Sequence, residues 1–181
     1  MAPGTEREPH HQEEEKTGHI RDGDCLPIEG ITFYIVGKDN KPQGIPAKEP
    51  WTGKRVAVIS VHGSFTPVCS SRYVPGYIEK QQELKQKGKL DDIVYISTND
   101  PYVQEAWGRS FGAGSEVQFL SDMEKTFAKG TGLGCDLFYT TRLKRFSMLC
   151  DDGAVKKMNV EPENNNLGVS SADHMVELER A

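Results

Sequence analysis

The chain has no CxxC pair, no long apolar run and no excess of positive charge, and each lack removes a class of protein. Spanning a bilayer takes about 20 consecutive apolar residues, and no stretch comes near that, so a membrane partner is not expected. Lys and Arg total 22 against 27 Asp and Glu, a net charge of −5 over 181 residues. An acidic chain does not attract nucleic acid or anionic lipid without a local basic patch. Cys25, Cys69, Cys135 and Cys150 lie far apart, with no histidine at ligand spacing. That pattern argues against a structural zinc site and against dithiol exchange, and no metal or other cofactor is expected. The start, Met1 to Lys16, has no apolar core of a secretory signal, so a cytoplasmic, reducing setting without a disulfide framework is the expectation. Gly53-Lys54 lacks the rest of a phosphate loop. Gly108-Arg109-Ser110-Phe111-Gly112 spells GxSxG, but it follows a helical stretch where a nucleophile elbow needs a strand.

Apolar residues make up only 36% of the chain, and much of the deficit sits in residues 1–19. There Glu6, Glu8, Glu13, Glu14 and Glu15 alternate with Pro3, Gly4, Pro9 and Gly18. Such a segment cannot recover its ordering entropy, so residues 1–19 read as a disordered acidic tail and residues 20–181 as one domain. His10, His11 and His19 read as solvated tail residues rather than ligands. Within the domain, Val56–Val61, Ile93–Ser97 and Val117–Leu120 are buried strands by composition. Arg145–Cys150 and Ala154–Val160 flank Asp151-Asp152-Gly153 and predict a hairpin. Val74, Tyr77, Ile78, Gln81 and Leu84 recur at helical spacing, with a kink expected at Pro75. Asp100-Pro101 and Asp122 are expected caps, and Ser170-Ser171-Ala172-Asp173 resembles a capping box for a C-terminal helix. Gly130 to Gly134 reads as a helix C-terminal turn. This α/β order fits a thioredoxin-like sandwich, a central mixed β-sheet flanked by helices, and order alone also allows a small flavodoxin-like sheet.

One segment carries chemistry: Ser60-Val61-His62-Gly63-Ser64-Phe65-Thr66-Pro67-Val68-Cys69-Ser70-Ser71-Arg72-Tyr73. A buried strand ends, a short loop follows, and Cys69 falls in the first turn of a helix, where unpaired N–H groups and the helix dipole favour a thiolate. Thr66, three residues earlier, offers a hydroxyl to the sulfur or to a substrate oxygen. Spacing alone leaves open a small buried cysteine with Thr66 as a simple cap.

Phe65-Thr66-Pro67-Val68-Cys69 resembles the TxxC core of the peroxiredoxin active-site loop. From about Ile20 to Leu178 the chain resembles type II peroxiredoxins, the atypical, peroxiredoxin-five-like group of the redoxin and thioredoxin superfamily. The likeness is carried by Ile20 to Pro27, Pro75-Gly76-Tyr77, Ser97 to Val103, Ala106-Trp107-Gly108, Phe119 to Asp122, Arg142 to Met148 and Asn159 to Pro162. The resemblance implies a thiol peroxidase with no cofactor, acting on hydrogen peroxide and small alkyl hydroperoxides. Cys69 would attack the O–O bond and become a sulfenic acid. Thr66 would hold the peroxide, and Arg145 would stabilise thiolate and developing oxyanion. The N–H groups of Val68 and Cys69 would add to the substrate site. Arg142 is the alternative arginine, read more readily as a solvated loop charge, and Trp107 as a packing residue.

The chain departs from the motif at two positions. His62 stands where the family carries proline, and Tyr73 where most members carry histidine. An imidazolium at His62 would favour the thiolate beside it, while a tolerated loop substitution is an equal reading. The positions near Val169 and Tyr95, where relatives hold a second cysteine, hold none here. Cys25, Cys135 and Cys150 read as ordinary core or loop residues. A one-cysteine cycle follows, with an external thiol such as glutathione, glutaredoxin or thioredoxin as reductant. A homodimer is a further implied partner, although the segment between Phe127 and Arg145 is shorter than in many relatives. The rival is a redox sensor or chaperone-like scaffold that keeps the fold and turns over poorly.

Overall fold

The run Arg55–Ser60 sends alternate side chains to opposite faces, as a strand must, and this alternation organises two cores. Val56 and Val58 enter a cluster with Phe33, Trp51, Phe127 and Met148. Ala57 and Ile59 enter another with Cys69, Tyr77, Leu84 and Trp107. A strand buried on both faces has no polar side to alternate, which is why it reads as an unbroken apolar run.

The computed structural model describes residues 19–112, 117–163 and 166–178. All of the expected tail except His19 lies outside them. In chain order the elements are β1 (Thr32–Val36), β2 (Pro42–Pro46), β3 (Arg55–Ser60), α1 (Val74–Glu79), α2 (Gln81–Lys87), β4 (Asp92–Ser97), α3 (Pro101–Ser110) and β5 (Gln118–Ser121). They continue with α4 (Thr126–Thr131), β6 (Gly134–Leu137), β7 (Thr140–Leu143), β8 (Phe146–Asp151), β9 (Ala154–Val160) and α5 (Ala172–Leu178). A π-helical turn, Cys69–Tyr73, leads into α1. Among the described residues the main sheet runs β2-β1-β5-β4-β3-β8-β9, with β6 and β7 forming a separate hairpin. β3, β4 and β5 are parallel, β8 runs antiparallel beside β3, and β9 runs antiparallel to β8. The sheet is therefore mixed and thioredoxin-like, and a flavodoxin-like sheet is ruled out. At the β8–β9 turn Asp152 and Gly153 both have positive φ, the geometry that an Asp-Gly hairpin turn requires.

Three local expectations need correction. Pro75 lies in the first turn of α1, inside a helical run that begins at Pro67, and the irregularity beside it takes the form of a widened turn. The widened turn lies just before it, with Val74 N–H bonded back to Cys69 O, and the helical run breaks at Lys80. Asp122 is not the residue that opens α4, since Lys125 in the left-handed region precedes it. Its carboxylate nevertheless accepts from Phe127 N (3.1 Å) and Ala128 N (2.9 Å), so it caps the helix from a turn away. At α5 the cap is Ser171, which accepts from His174 N (3.3 Å), while Ser170 turns inward to Glu161. The hairpins β1–β2 and β6–β7 were not foreseen. Two prolines and a glycine mask β2, a pattern that suits an edge strand. The β6–β7 turn is Phe138-Tyr139, both at positive φ, where turn residues are ordinarily Gly or Asn.

Candidate active site

Leaving β3, the chain makes a short loop and re-enters helical structure at Pro67. Thr66 O takes the first helical bond, from Ser70 N (3.0 Å), and Pro67 fills the position where no N–H is needed. The N–H groups of Val68 and Cys69 thus fall among the first four of a helix, which have no intrahelical acceptor. Cys69 is fully buried there. The loop itself is tied from two sides. Ser64 N donates to Asn99 Oδ1 (2.9 Å) and Ser64 Oγ donates to Gln104 Oε1 (2.7 Å). Gln104 Nε2 in turn donates to Leu120 O (3.2 Å), so the loop is anchored to both α3 and β5. Phe65 is held at φ 61 with its ring exposed, an uncommon conformation for a bulky side chain.

The sequence-designated residues converge, with one change of role. Arg145, directly ahead of β8, is completely buried and donates from Nη2 to Cys69 Sγ (3.2 Å). Nη1 donates to Asn166 O (2.7 Å), and the guanidinium carbon lies 5.2 Å from the centre of the Tyr73 ring. Thr66 does not turn its proton to the sulfur. Its Oγ1 donates to Gly63 O (2.7 Å), so only its lone pairs remain for a donor such as a peroxide O–H. His62 is buried with Nδ1 3.3 Å from Arg145 Nη2 and 3.9 Å from Cys69 Sγ. Burial, then the Arg145 and Arg142 charges, push its pKa down to about 4. His62 is therefore neutral, and the imidazolium considered from sequence is not available. Tyr73 is buried and donates its hydroxyl to Phe146 O (2.8 Å), and burial raises its pKa well above the ordinary value.

Arg142 is not a solvated loop charge. It is half-buried on β7, donates from Nη1 to Asn99 Oδ1 (3.3 Å), and its Nε is buried. The supporting residues Ser64, Asn99, Gln104 and Asn166 escaped the sequence reading. Nothing in their identity marks them, and only the folded chain brings their polar atoms onto the loop and Arg145. Trp107 packs as expected, while its Nε1 donates to Ser70 Oγ (3.0 Å) in the turn that carries Cys69. Ser110 of the GxSxG string lies in α3 and donates to Trp107 O (2.6 Å), which is no nucleophile elbow.

A buried cysteine at a helix start, faced by a buried arginine in a thioredoxin-like sandwich, defines a thiol-chemistry protein of that superfamily. The redoxin family profile matches residues 28–176. Over 157 residues the chain is 38% identical to peroxiredoxin-2C of Oryza sativa, covering 85% of this chain and 94% of the relative. It is 36% identical over 167 residues to peroxiredoxin Pen c 3 of Penicillium citrinum, covering 87% and 97%. The crystal structure of reduced Prx3 of Vibrio vulnificus in complex with hydrogen peroxide superposes with a TM-score of 0.81 at 34% identity, covering 88% and 99%. The chain belongs to the peroxiredoxin family and is a thiol peroxidase.

Proposed function

We propose that Cys69 is the peroxidatic cysteine and that it reduces hydrogen peroxide and small alkyl hydroperoxides in a one-cysteine cycle. The observation that carries this reading is the 3.2 Å contact from Arg145 Nη2 to Cys69 Sγ at a helix start. The cation donates a hydrogen bond to the sulfur, and the first-turn N–H groups have no intrahelical acceptor of their own. The thiolate attacks the terminal oxygen of the hydroperoxide. An S–O bond forms, the O–O bond breaks, and sulfur gives up two electrons. The departing alkoxide or hydroxide takes a proton to leave as alcohol or water, and the cysteine is left as sulfenic acid. Arg145 and the N–H groups of Val68 and Cys69 lower the energy of the oxygen charge that develops on the way. Thr66 Oγ1, its own proton held by Gly63 O, accepts a hydrogen bond from the hydroperoxide O–H and fixes the direction of approach.

Topology keeps two of the other three cysteines, Cys25 and Cys150, away from Cys69. Cys150 pairs with Val56 while Phe146 pairs with Ser60, so Cys150 stands about 13 Å down the sheet from the Arg145 end. It also belongs to the opposite core cluster, and burial pushes its pKa up to about 12. Cys25 bridges Ala154 at that same far end. Disulfide formation needs Cα atoms within about 7 Å. A small thiol or a dithiol protein of the glutaredoxin or thioredoxin kind then reduces the sulfenic acid. Phe138, largely exposed, and Tyr139, fully exposed, form a protruding tip beside His62, and this tip supports a homodimer contact.

The test is hydrogen peroxide consumption by purified protein with excess dithiothreitol, beside Cys69→Ser. Many turnovers by the wild type and none by the variant are expected. Loss of one thiol followed by arrest would favour the sensor, and turnover by Cys69→Ser would refute the assignment.

A further inference from the structure

Arg145 is a buried cation whose partners are a carbonyl, a ring face, a sulfur and an imidazole. The first two anchor it. Nη1 is held on Asn166 O and the guanidinium carbon lies over the Tyr73 ring, and the freedom left to the rigid guanidinium is a rocking about the Nη1 contact that swings both N–H bonds of Nη2 together. Those bonds are shared between Cys69 Sγ at 3.2 Å and His62 Nδ1 at 3.3 Å. An arginine nitrogen only donates, so Nδ1 must carry its lone pair toward Nη2 and the ring proton must sit on Nε2. His62 can do this because it is neutral, with Arg145 and Arg142 as the charged groups facing it and the Phe138 ring beside it.

We propose that His62 is a positioning residue for the peroxidase step: its Nδ1 takes one N–H of Arg145 Nη2 and thereby aims the other at Cys69 Sγ. The proposal rests on the peroxidase reading of Cys69. With the acceptor gone, one buried N–H of Nη2 has no partner, and the guanidinium gains by rotating toward any other acceptor. The N–H aimed at sulfur is lost with that rotation, although every atom of Arg145 is still present. Misalignment of a fixed donor costs rate out of proportion to the distance moved. The neighbouring contacts agree with this role. Tyr73 presents a ring face rather than an acceptor to the guanidinium, and its hydroxyl is occupied by Phe146 O.

The experiment is the second-order rate constant for Cys69 oxidation by hydrogen peroxide, measured by stopped flow at neutral pH. His62→Leu and His62→Asn are compared, each alone and in an Arg145→Lys background. Leucine removes the acceptor at similar bulk, whereas the asparagine Oδ1 can replace Nδ1. A loss of about tenfold is expected for leucine and less than about threefold for asparagine. In the Arg145→Lys background the leucine change should cost no more than about twofold, because its effect passes through the arginine. A leucine variant at the wild-type rate, an asparagine variant as slow as leucine, or losses that multiply in the double variant would each overturn the proposal. If the leucine variant does not fold, His62→Ala serves as the deletion, with the same expectations. Wild-type protein inert toward peroxide would instead refute the peroxidase reading itself.

Discussion

Arg145 shows how little of a residue's role lies in its identity. Read along the chain it is one of three closely spaced cationic residues, with Arg142 and Lys144, ahead of a strand. In the fold it is buried and faces the sulfur. Lysine keeps the charge but not the planar fork that reaches Cys69, His62 and Asn166 together. Arg145→Lys is therefore expected to slow peroxide reduction about 10²-fold, read as the rate constant for Cys69 oxidation. His62 gives a pH prediction of opposite sign to a salt-bridged histidine. Its folded pKa of about 4 lies below the ordinary value near 6.5, so the unfolded chain binds the extra proton between those limits. The contribution of His62 to stability is present above about pH 6.5 and is lost as pH falls toward 4. Urea denaturation from pH 7 to pH 4 should show a smaller acid loss in His62→Asn than in the wild type. Cys69 itself was legible because its helix-start position follows from local signals, while the acceptor role of His62 needed Arg145 placed beside it.

Among the elements, α3 is the clearest case of local chemistry and packing agreeing. Asp100 accepts from Val103 N (3.0 Å), Pro101 fills the first turn, and Trp107 is buried below. Gly108 then allows α3 to settle on β5: a Cβ there would lie 2.6 Å from Phe119 Cδ2. That ring is itself stacked on Tyr95 at 4.8 Å and has little freedom to retreat. Gly108→Ala gains helix propensity yet is expected to destabilise the protein by about 1–3 kcal/mol, measured by urea denaturation. Asp122 makes the complementary case. Burial raises its pKa even against the bonds from Phe127 and Ala128, so this carboxyl gives up solvation in order to hold α4. Asp122→Ala should cost about 1–3 kcal/mol in the same measurement, since buried N–H donors lose their acceptor. The strands β3, β4, β8 and β9 were legible because β-branched runs and an Asp-Gly turn act locally. The β6–β7 hairpin was not, because no Gly or Asn marks a turn made of Phe138 and Tyr139.

Over the whole molecule, the mixed sheet separates Cys25 and Cys150 from Cys69 as firmly as it unites Cys69 with Arg145. Cys25 and Cys150 lie at the far end of β8 and β9, so Cys25→Ser and Cys150→Ser are expected to keep turnover with dithiothreitol close to wild type. Mass spectrometry after one equivalent of peroxide should find oxygen on Cys69 and no disulfide joining it to either residue. Turnover lost in either variant would point to a resolving cysteine within the chain. The sequence by itself determined strands β3, β4, β5, β8 and β9, the two-faced burial of β3, the position of Cys69 in a first turn, and the family likeness spread along the chain. These depend on side-chain periodicity, turn chemistry and capping, which act over a few residues and need no partner. Only the tertiary structure decided that Thr66 commits its proton to Gly63, that His62 is neutral, that Arg142 is half-buried, and that Asn99, Gln104 and Asn166 support the site. Each depends on a contact between residues distant along the chain or on exclusion from water. Neither exists until the sheet has brought those segments together.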